Sequence, residues 1–174
     1  NLIGNYDVTE DTYTIFVESN YIYLGTTENI YIFDINNKTN PVLLSKFNDE
    51  YVMGINKKDN YLFLNTSNYF RVYDITDKGN PSLLNSLALK SFLWYGLEIS
   101  GNYAYIATGA NGIAIIDISN PSSPSKKAEI PVGNYSYDVD VIGNNILVAD
   151  ENAGFVIYDI TNLKSPVELY NYNT

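Results

Sequence analysis

The sequence predicts an all-β fold of four antiparallel sheets, each with four short strands, set around an axis like the blades of a propeller. Two observations predict it. First, three markers keep one period along the 174 residues. An Asn precedes a β-rich run at Asn20, Asn60, Asn102 and Asn144. An Asp closes a second run at Asp34, Asp74, Asp117 and Asp159, and a Pro opens a third at Pro41, Pro81, Pro124 and Pro166. The spacings lie between 40 and 43 residues, the length of a four-stranded propeller blade. Second, the runs are short, rich in Tyr, Ile, Val and Phe, and bounded by Gly, Asn, Pro or Ser. No sustained helical period interrupts them.

The predicted blades are residues 8–47, 48–90, 91–132 and 133–174. In the third, YGLEIS from Tyr95 is strand A, YAYIAT from Tyr103 strand B, GIAIID from Gly112 strand C, and SKKAEIP from Ser125 strand D. Strand A lies nearest the axis of a propeller. Its alternation puts Ile15, Ile55, Leu97 and Val139 in the core. The other face carries Thr14, Gly54, Gly96 and Asp138, then Phe16, Asn56, Glu98 and Asp140. After strand C, the side chains of Asp34, Asp74, Asp117 and Asp159 can accept backbone N–H groups two residues on. The later Pro lacks an N–H and fixes φ, which suits the start of an outer strand. A calcium loop is the alternative for these aspartates, but it needs several converging oxygens and each turn offers one or two.

Composition removes most catalytic chemistry. The chain has no Cys and no His, so disulfides, Ser-His-Asp or Cys-His triads, and His- or Cys-ligated metals are excluded. A net charge of −10 disfavours non-specific binding to nucleic acid or anionic lipid. No apolar run approaches the ~20 residues of a membrane span. Low charge with abundant Asn and Tyr suits a secreted or surface protein.

The stretch SGNYAYIATGANGIAIIDISNPSSP (Ser100 to Pro124) resembles the LVIVD repeat, and the fourth unit, YDVDVIGNNILVADENAGFVIYDITNLKSP, resembles it almost as well. The first two units keep NYIYLG…IYIFDIN…NP and NYLFLN…FRVYDIT…NP, with Ser19 and Asp59 in place of the Gly before the Asn. The resemblance implies β-propeller blades and an extracellular or cell-surface setting, since such repeats occur in bacterial and archaeal surface and secreted proteins. It carries no catalytic motif. The Trp-Asp and Gly-His markers of a WD repeat are absent.

Leu2 to Asp7 matches Glu168 to Asn173, strand D of the last blade. Residues 1–7 are therefore expected to be a surplus outer strand from a preceding blade, as in a segment of a longer array. A self-closed four-blade ring and a pair of half-rings are the alternatives.

The connections between strands D and A and those between B and C should emerge together on one face. The D–A side supplies Tyr13, Tyr51, Phe92, Trp94, Tyr95, Tyr135 and Tyr137. The B–C side supplies Thr26, Thr27, Glu28, Thr66, Asn68, Asn111, Glu151 and Asn152. Aromatic plates among amides and hydroxyls suit a protein partner or a glycan, with Trp94 as the foremost anchor; packing of those rings between blades is the other reading. Asp138, Asp140 and Glu98 could meet near the axis and hold a cation such as calcium or do acid–base work; the simpler reading has them hydrated or capping backbone. No cofactor is expected. Asn37, Asn65 and Asn134 begin glycosylation sequons. The expected function is a non-catalytic interaction, adhesion or self-assembly module. A glycan-binding propeller is the alternative, and an enzyme using axial carboxylates is a third.

Overall fold

A computed structural model describes residues 4–89, 96–132, 135–152 and 154–172. Over them the chain forms sixteen strands in four sheets, each an up-and-down antiparallel meander in chain order. Blade 1 holds β1 (Thr12–Glu18), β2 (Tyr21–Thr26), β3 (Asn29–Asp34) and β4 (Val42–Asn48). Blade 2 holds β5 (Gly54–Lys58), β6 (Tyr61–Asn65), β7 (Tyr69–Asp74) and β8 (Ser82–Ala88). Blade 3 holds β9 (Leu97–Ser100), β10 (Tyr103–Ala107), β11 (Ile113–Asp117) and β12 (Ser125–Ile130). Blade 4 holds β13 (Ser136–Ile142), β14 (Asn145–Asp150), β15 (Gly154–Asp159) and β16 (Val167–Tyr172).

The repeat markers acquire physical reasons. The two-residue A–B turns place Ser19, Asp59, Gly101 and Gly143 at φ of 55°, 54°, 58° and 61°. This is the left-handed region that Gly enters freely and that Asp or Ser enters at a cost. The following Asn carbonyls, at 20, 60, 102 and 144, accept the N–H of Ile35, Ile75, Ile118 and Ile160 at 2.8–2.9 Å, which ties the A–B turn to the end of strand C. Asp34, Asp74, Asp117 and Asp159 each accept an N–H two residues on, from Asn36, Thr76, Ser119 and Thr161, at 2.7–3.0 Å. A second such bond follows in every blade, to Asn37, Asp77, Asn120 and Asn162. Each C–D pairing shifts register at one place, between Ile32/Phe33, Val72/Tyr73, Ile115/Ile116 and Ile157/Tyr158, a bulge that bends the outer strand.

The hydrogen bonds from Ser119 hold the Asp117 carboxyl below its ordinary range. Its stabilising contribution is therefore present above the unfolded carboxylate pKa and is lost as pH falls through the lower folded value. Replacing Asp117 with Ala is expected to cost about 0.5–2 kcal/mol, the range for a lost side-chain cap. Chelation with EDTA is expected to leave the melting temperature where it was; a fall of many degrees would return these turns to calcium.

Among the described residues three apolar cores join the four blades. Tyr23, Ile30 and Ile32 of blade 1 pack against Ile55, Leu62, Leu64 and Tyr73 of blade 2. Phe63, Phe70 and Val72 of blade 2 pack against Leu97, Ala104, Ile106 and Ile116 of blade 3. Tyr105, Ile113 and Ile115 of blade 3 pack against Val139, Ile146, Val148 and Tyr158 of blade 4. The inner strands follow suit: β1 packs on β5, β5 on β9 and β9 on β13. Among the described residues β13 and β1 show no packing of this kind, so the blades form an arc open between blade 4 and blade 1. The expectation that Ile15 lies in the core is thereby corrected. It is 60% exposed, whereas Ile55, Leu97 and Val139 in the same column are 5%, 8% and 6% exposed, because no blade lies against that side of β1.

The described part of the expected surplus strand, Gly4 to Asp7, joins no sheet. Tyr6 instead lies edge-on to Phe33 of β3, ring centroids 4.7 Å apart. Among the described residues no helix is long and apolar enough to cross a membrane.

Candidate interaction face

The D–A and B–C connections meet on one face because backbone hydrogen bonds tie them together. Between blades 1 and 2, Asp49 N–H donates to Glu28 O, Tyr51 N–H to Thr27 O and Val52 N–H to Thr26 O, at 2.9–3.1 Å. The same tie recurs from Leu89 N–H to Asn68 O, and in the reverse direction Thr27 N–H donates to Asp11 O and Glu151 N–H to Tyr135 O. On this face an open groove of about 880 Å³ runs between blades 1 and 2, lined by Thr27, Glu28, Asn48, Asp49, Glu50, Tyr51, Tyr69 and Arg71. Tyr51 and Tyr69 stand 48% and 38% exposed. Tyr51 is held there at φ 47°, a conformation uncommon for a bulky residue.

The floor of the groove is ionic. The Asp49 side chain has no solvent exposure and pairs with Arg71 Nη1. It also accepts Tyr73 OH at 3.0 Å and Glu50 N–H at 2.9 Å. Burial pushes the Asp49 carboxyl up, against the pull of Arg71 and Tyr73. Burial beside Asp49 likewise pushes the Tyr73 phenol well above its usual range. The Arg71 guanidinium lies over the Tyr69 ring, 5.0 Å from its centroid, and presents that ring to solvent as a fixed plate.

A second carboxylate cluster braces the preceding connection. Glu10 accepts hydrogen bonds from Thr26 Oγ1, Asn29 Nδ2, Tyr31 OH and Lys46 Nζ at 2.8–3.0 Å. Burial opposes ionisation of Glu10, but the bonds from Lys46, Thr26 and Tyr31 prevail and hold its pKa down to about 2.

The remaining sequence candidates separate into groups. Tyr135 and Tyr137 are exposed on the same face at blade 4, and Tyr137 OH donates to Glu151 Oε1 at 3.3 Å. Tyr13 is half-buried. Phe92, Trp94, Tyr95 and Asn134 lie outside the described residues. Thr26 and Thr66, expected to offer hydroxyls to a ligand, are buried instead. Their Oγ1 atoms accept the N–H of Asn29 and Tyr69 and close the B–C turns. The sequon residue Asn65 is 1% exposed, which leaves no room for a glycan, while Asn37 is on the surface.

The axial carboxylates take local partners. Asp138 and Asp140 accept the N–H groups of Val139 and Val141 at 2.9 and 2.7 Å. Glu98 accepts Asn56 Nδ2 at 3.0 Å. Burial, then the charges of Asp140 and Asp138, push the Glu98 carboxyl upward. Among the described residues no three His, Cys, Asp or Glu side chains are grouped to hold a metal ion. Gly96 has a packing reason: a Cβ there would fall 1.7 Å from Asp138 Oδ1, where Gly96 N–H reaches Tyr137 O at 3.1 Å.

Asp49, Tyr69 and Arg71 were not foreseen as part of the face. The signal for Arg71 is that it is the chain's single arginine, standing mid-strand in a column otherwise filled by Tyr31, Ala114 and Val156.

The LVIVD repeat model matches residues 11–49, 51–88, 95–130 and 133–174. The chain belongs to the LVIVD repeat family. No curated protein matches it. Among solved structures, the crystal structure of the computationally designed Ika4 protein superposes with a TM-score of 0.74 at 16% identity. The match covers 91% of this chain and 97% of that one. The crystal structure of the computationally designed Ika8 protein, in its first crystal packing in P63, gives 0.72 at 12% identity over 92% of this chain and 48% of that one. This LVIVD chain therefore spans about half the length of the longer design, and the likeness concerns the fold.

Proposed function

We propose that this LVIVD chain is a non-catalytic interaction module of a secreted or cell-surface protein, and that it binds a protein partner through the face carrying the D–A and B–C connections. The groove between blades 1 and 2 carries the reading. Two exposed Tyr rings flank it, one held rigid by Arg71, whose charge is already matched by buried Asp49. Rigid aromatic plates bury much area for little lost freedom, which makes them interface anchors. Trp94 and Tyr95, in the next D–A connection along the chain, and Tyr135 and Tyr137 at blade 4 extend the proposed anchors. The absence of Cys and His and of a metal-holding cluster among the described residues accords with a role without catalysis. A glycan is the second reading, supported by the Asn48 and Glu28 side chains beside Tyr51.

Display of the chain against a library of surface proteins and a glycan array tests the proposal. The binder found is then titrated against variants. Tyr51→Ala and Trp94→Ala should each weaken binding by about 2 kcal/mol or more. Asn80→Ala, at the opposite end of the blade, should leave it unchanged. Affinity should vary little with salt, because aromatic and amide contacts are not screened. Equal losses at Asn80 and Tyr51, or a steep salt dependence, would place the binding surface elsewhere.

A further inference from the structure

The arc leaves two blade faces without a partner, and they are the two halves of an interface the chain already makes three times. Every internal joint seats the later-facing side of one blade on the earlier-facing side of the next. Blade 1 keeps the inner part of its earlier-facing side open: Ile15 is 60% and Val17 53% exposed, while Tyr31 and Phe33 farther out on that side are each 4% exposed beneath Glu10 and Tyr6. Blade 4 keeps its later-facing side open. Phe155 is 39% exposed there, while Ile30, Phe70 and Ile113 in the same column are fully buried. Tyr170 and Tyr172, each 50% exposed, lie against the Phe155 ring at 5.8 and 5.6 Å and widen the patch. A shallow hollow of about 230 Å³ lined by Asp140, Leu147, Ala149 and Phe155 opens on the same side.

We propose that a second copy of this chain fills both faces, blade 4 of each copy seating on blade 1 of the other, so that two arcs close one ring through two identical joints. Continuity with the internal joints supports this occupant: both surfaces have the residue columns and strand order of interfaces already packed within the chain. A head-to-tail joint must close into a ring or propagate. Two is the smallest number of copies that fills both faces of each arc, and an arc of this fold covers 48% of the longer designed chain.

Tyr6 gives this joint a guard. It lies on Phe33 as Phe47 of blade 1 lies on Tyr73 of blade 2, with centroids at 4.7 and 4.9 Å. Tyr172 aligns with Phe47, since they pair with Phe155 and Ile30 at equivalent positions. Tyr172 of an incoming copy and Tyr6 would therefore compete for one site, and the segment around Tyr6 must lift for the copies to join. Removing residues 1–8 should tighten the association.

Sedimentation velocity over a wide concentration range decides the matter, on wild type, the chain lacking residues 1–8, Ile15→Asp and Phe155→Asp, with Tyr172→Asp as a second blade 4 variant. The proposal expects a two-chain species, which for wild type is twice 19.6 kDa, to form at lower concentration for the trimmed chain than for wild type, and a single chain for each Asp variant. Mixing Ile15→Asp with Phe155→Asp restores one intact joint and should restore the dimer. Because these side chains are largely exposed, circular dichroism melts of dilute Asp variants should fall no more than a few degrees below wild type. A trimmed chain that stays monomeric, a dimer that survives the Asp variants, a mixture that stays monomeric, or masses that grow past two copies would overturn it.

Discussion

Replacing Arg71 with Ala is expected to cost about 3–5 kcal/mol at neutral pH, the range for breaking a buried ion pair from one side. The Asp49 side chain has no solvent exposure, so its carboxylate would be left in the floor of the groove with only Tyr73 OH and Glu50 N–H for company. The loss should also depend on pH. Burial already raises the folded pKa of Asp49 above its ordinary value even with Arg71 present. The folded chain thus binds that proton more tightly than the unfolded chain. The destabilising effect of the charge is absent below the unfolded carboxylate pKa, near 4, and grows as pH rises. Without Arg71 the folded pKa rises further, so the gap between variant and wild type should narrow in acid. Glu10, held at about 2, behaves oppositely: its contribution is present above its unfolded pKa and is lost as pH falls toward 2. Both proteins share that loss, so the difference between them is the informative quantity. Urea melts of both at pH 7 and at about pH 4 measure it. A deficit below about 1 kcal/mol at pH 7, or one that widens in acid, would mean that the pair does not anchor the groove.

Phe70→Ala should cost about 3–5 kcal/mol, as for a Phe removed from a packed core. Phe70 is fully buried between blades 2 and 3, stacked on Phe63 with centroids 5.9 Å apart. Phe155→Ala, in the same column of the repeat, should cost about 1 kcal/mol or less, because surface already open to water forfeits less transfer free energy and leaves no cavity. Denaturant melts at protein concentrations too low for copies to associate compare the two. Equal losses would mean that Phe155 is covered and that the arc is closed.

The blades were legible because each is written by local chemistry. The Gly-Asn, Asp-Ile-Thr and Asn-Pro steps fix turns within a few residues, and a period near 42 residues repeats them. The left-handed turn could be read through Gly101 and Gly143. Ser19 and Asp59 take the same φ without announcing it. What the sequence hid is non-local. Ile15 and Ile55 look alike in their strands, and only the neighbouring blade distinguishes a buried residue from an exposed one. The hydroxyls of Thr26 and Thr66 read as ligand groups until the turn geometry turned them inward. The groove floor escaped notice because Asp49 sits in a D–A connection and Arg71 on the following blade, 22 residues apart, and no local pattern joins them.

The openness of the arc is tested most directly by a distance across it. The chain has no cysteine, so a spin label can be placed at will. Asn20, Asn60 and Asn144 occupy equivalent, exposed A–B turns in blades 1, 2 and 4. Pulsed dipolar spectroscopy on Asn20→Cys/Asn60→Cys and Asn20→Cys/Asn144→Cys, each diluted with unlabelled chain so that only distances within one copy are read, gives the spacing of neighbouring blades and of the two end blades. The open arc predicts a 20–144 distance clearly longer than the 20–60 distance. Equal distances would put blade 4 beside blade 1 and contradict it.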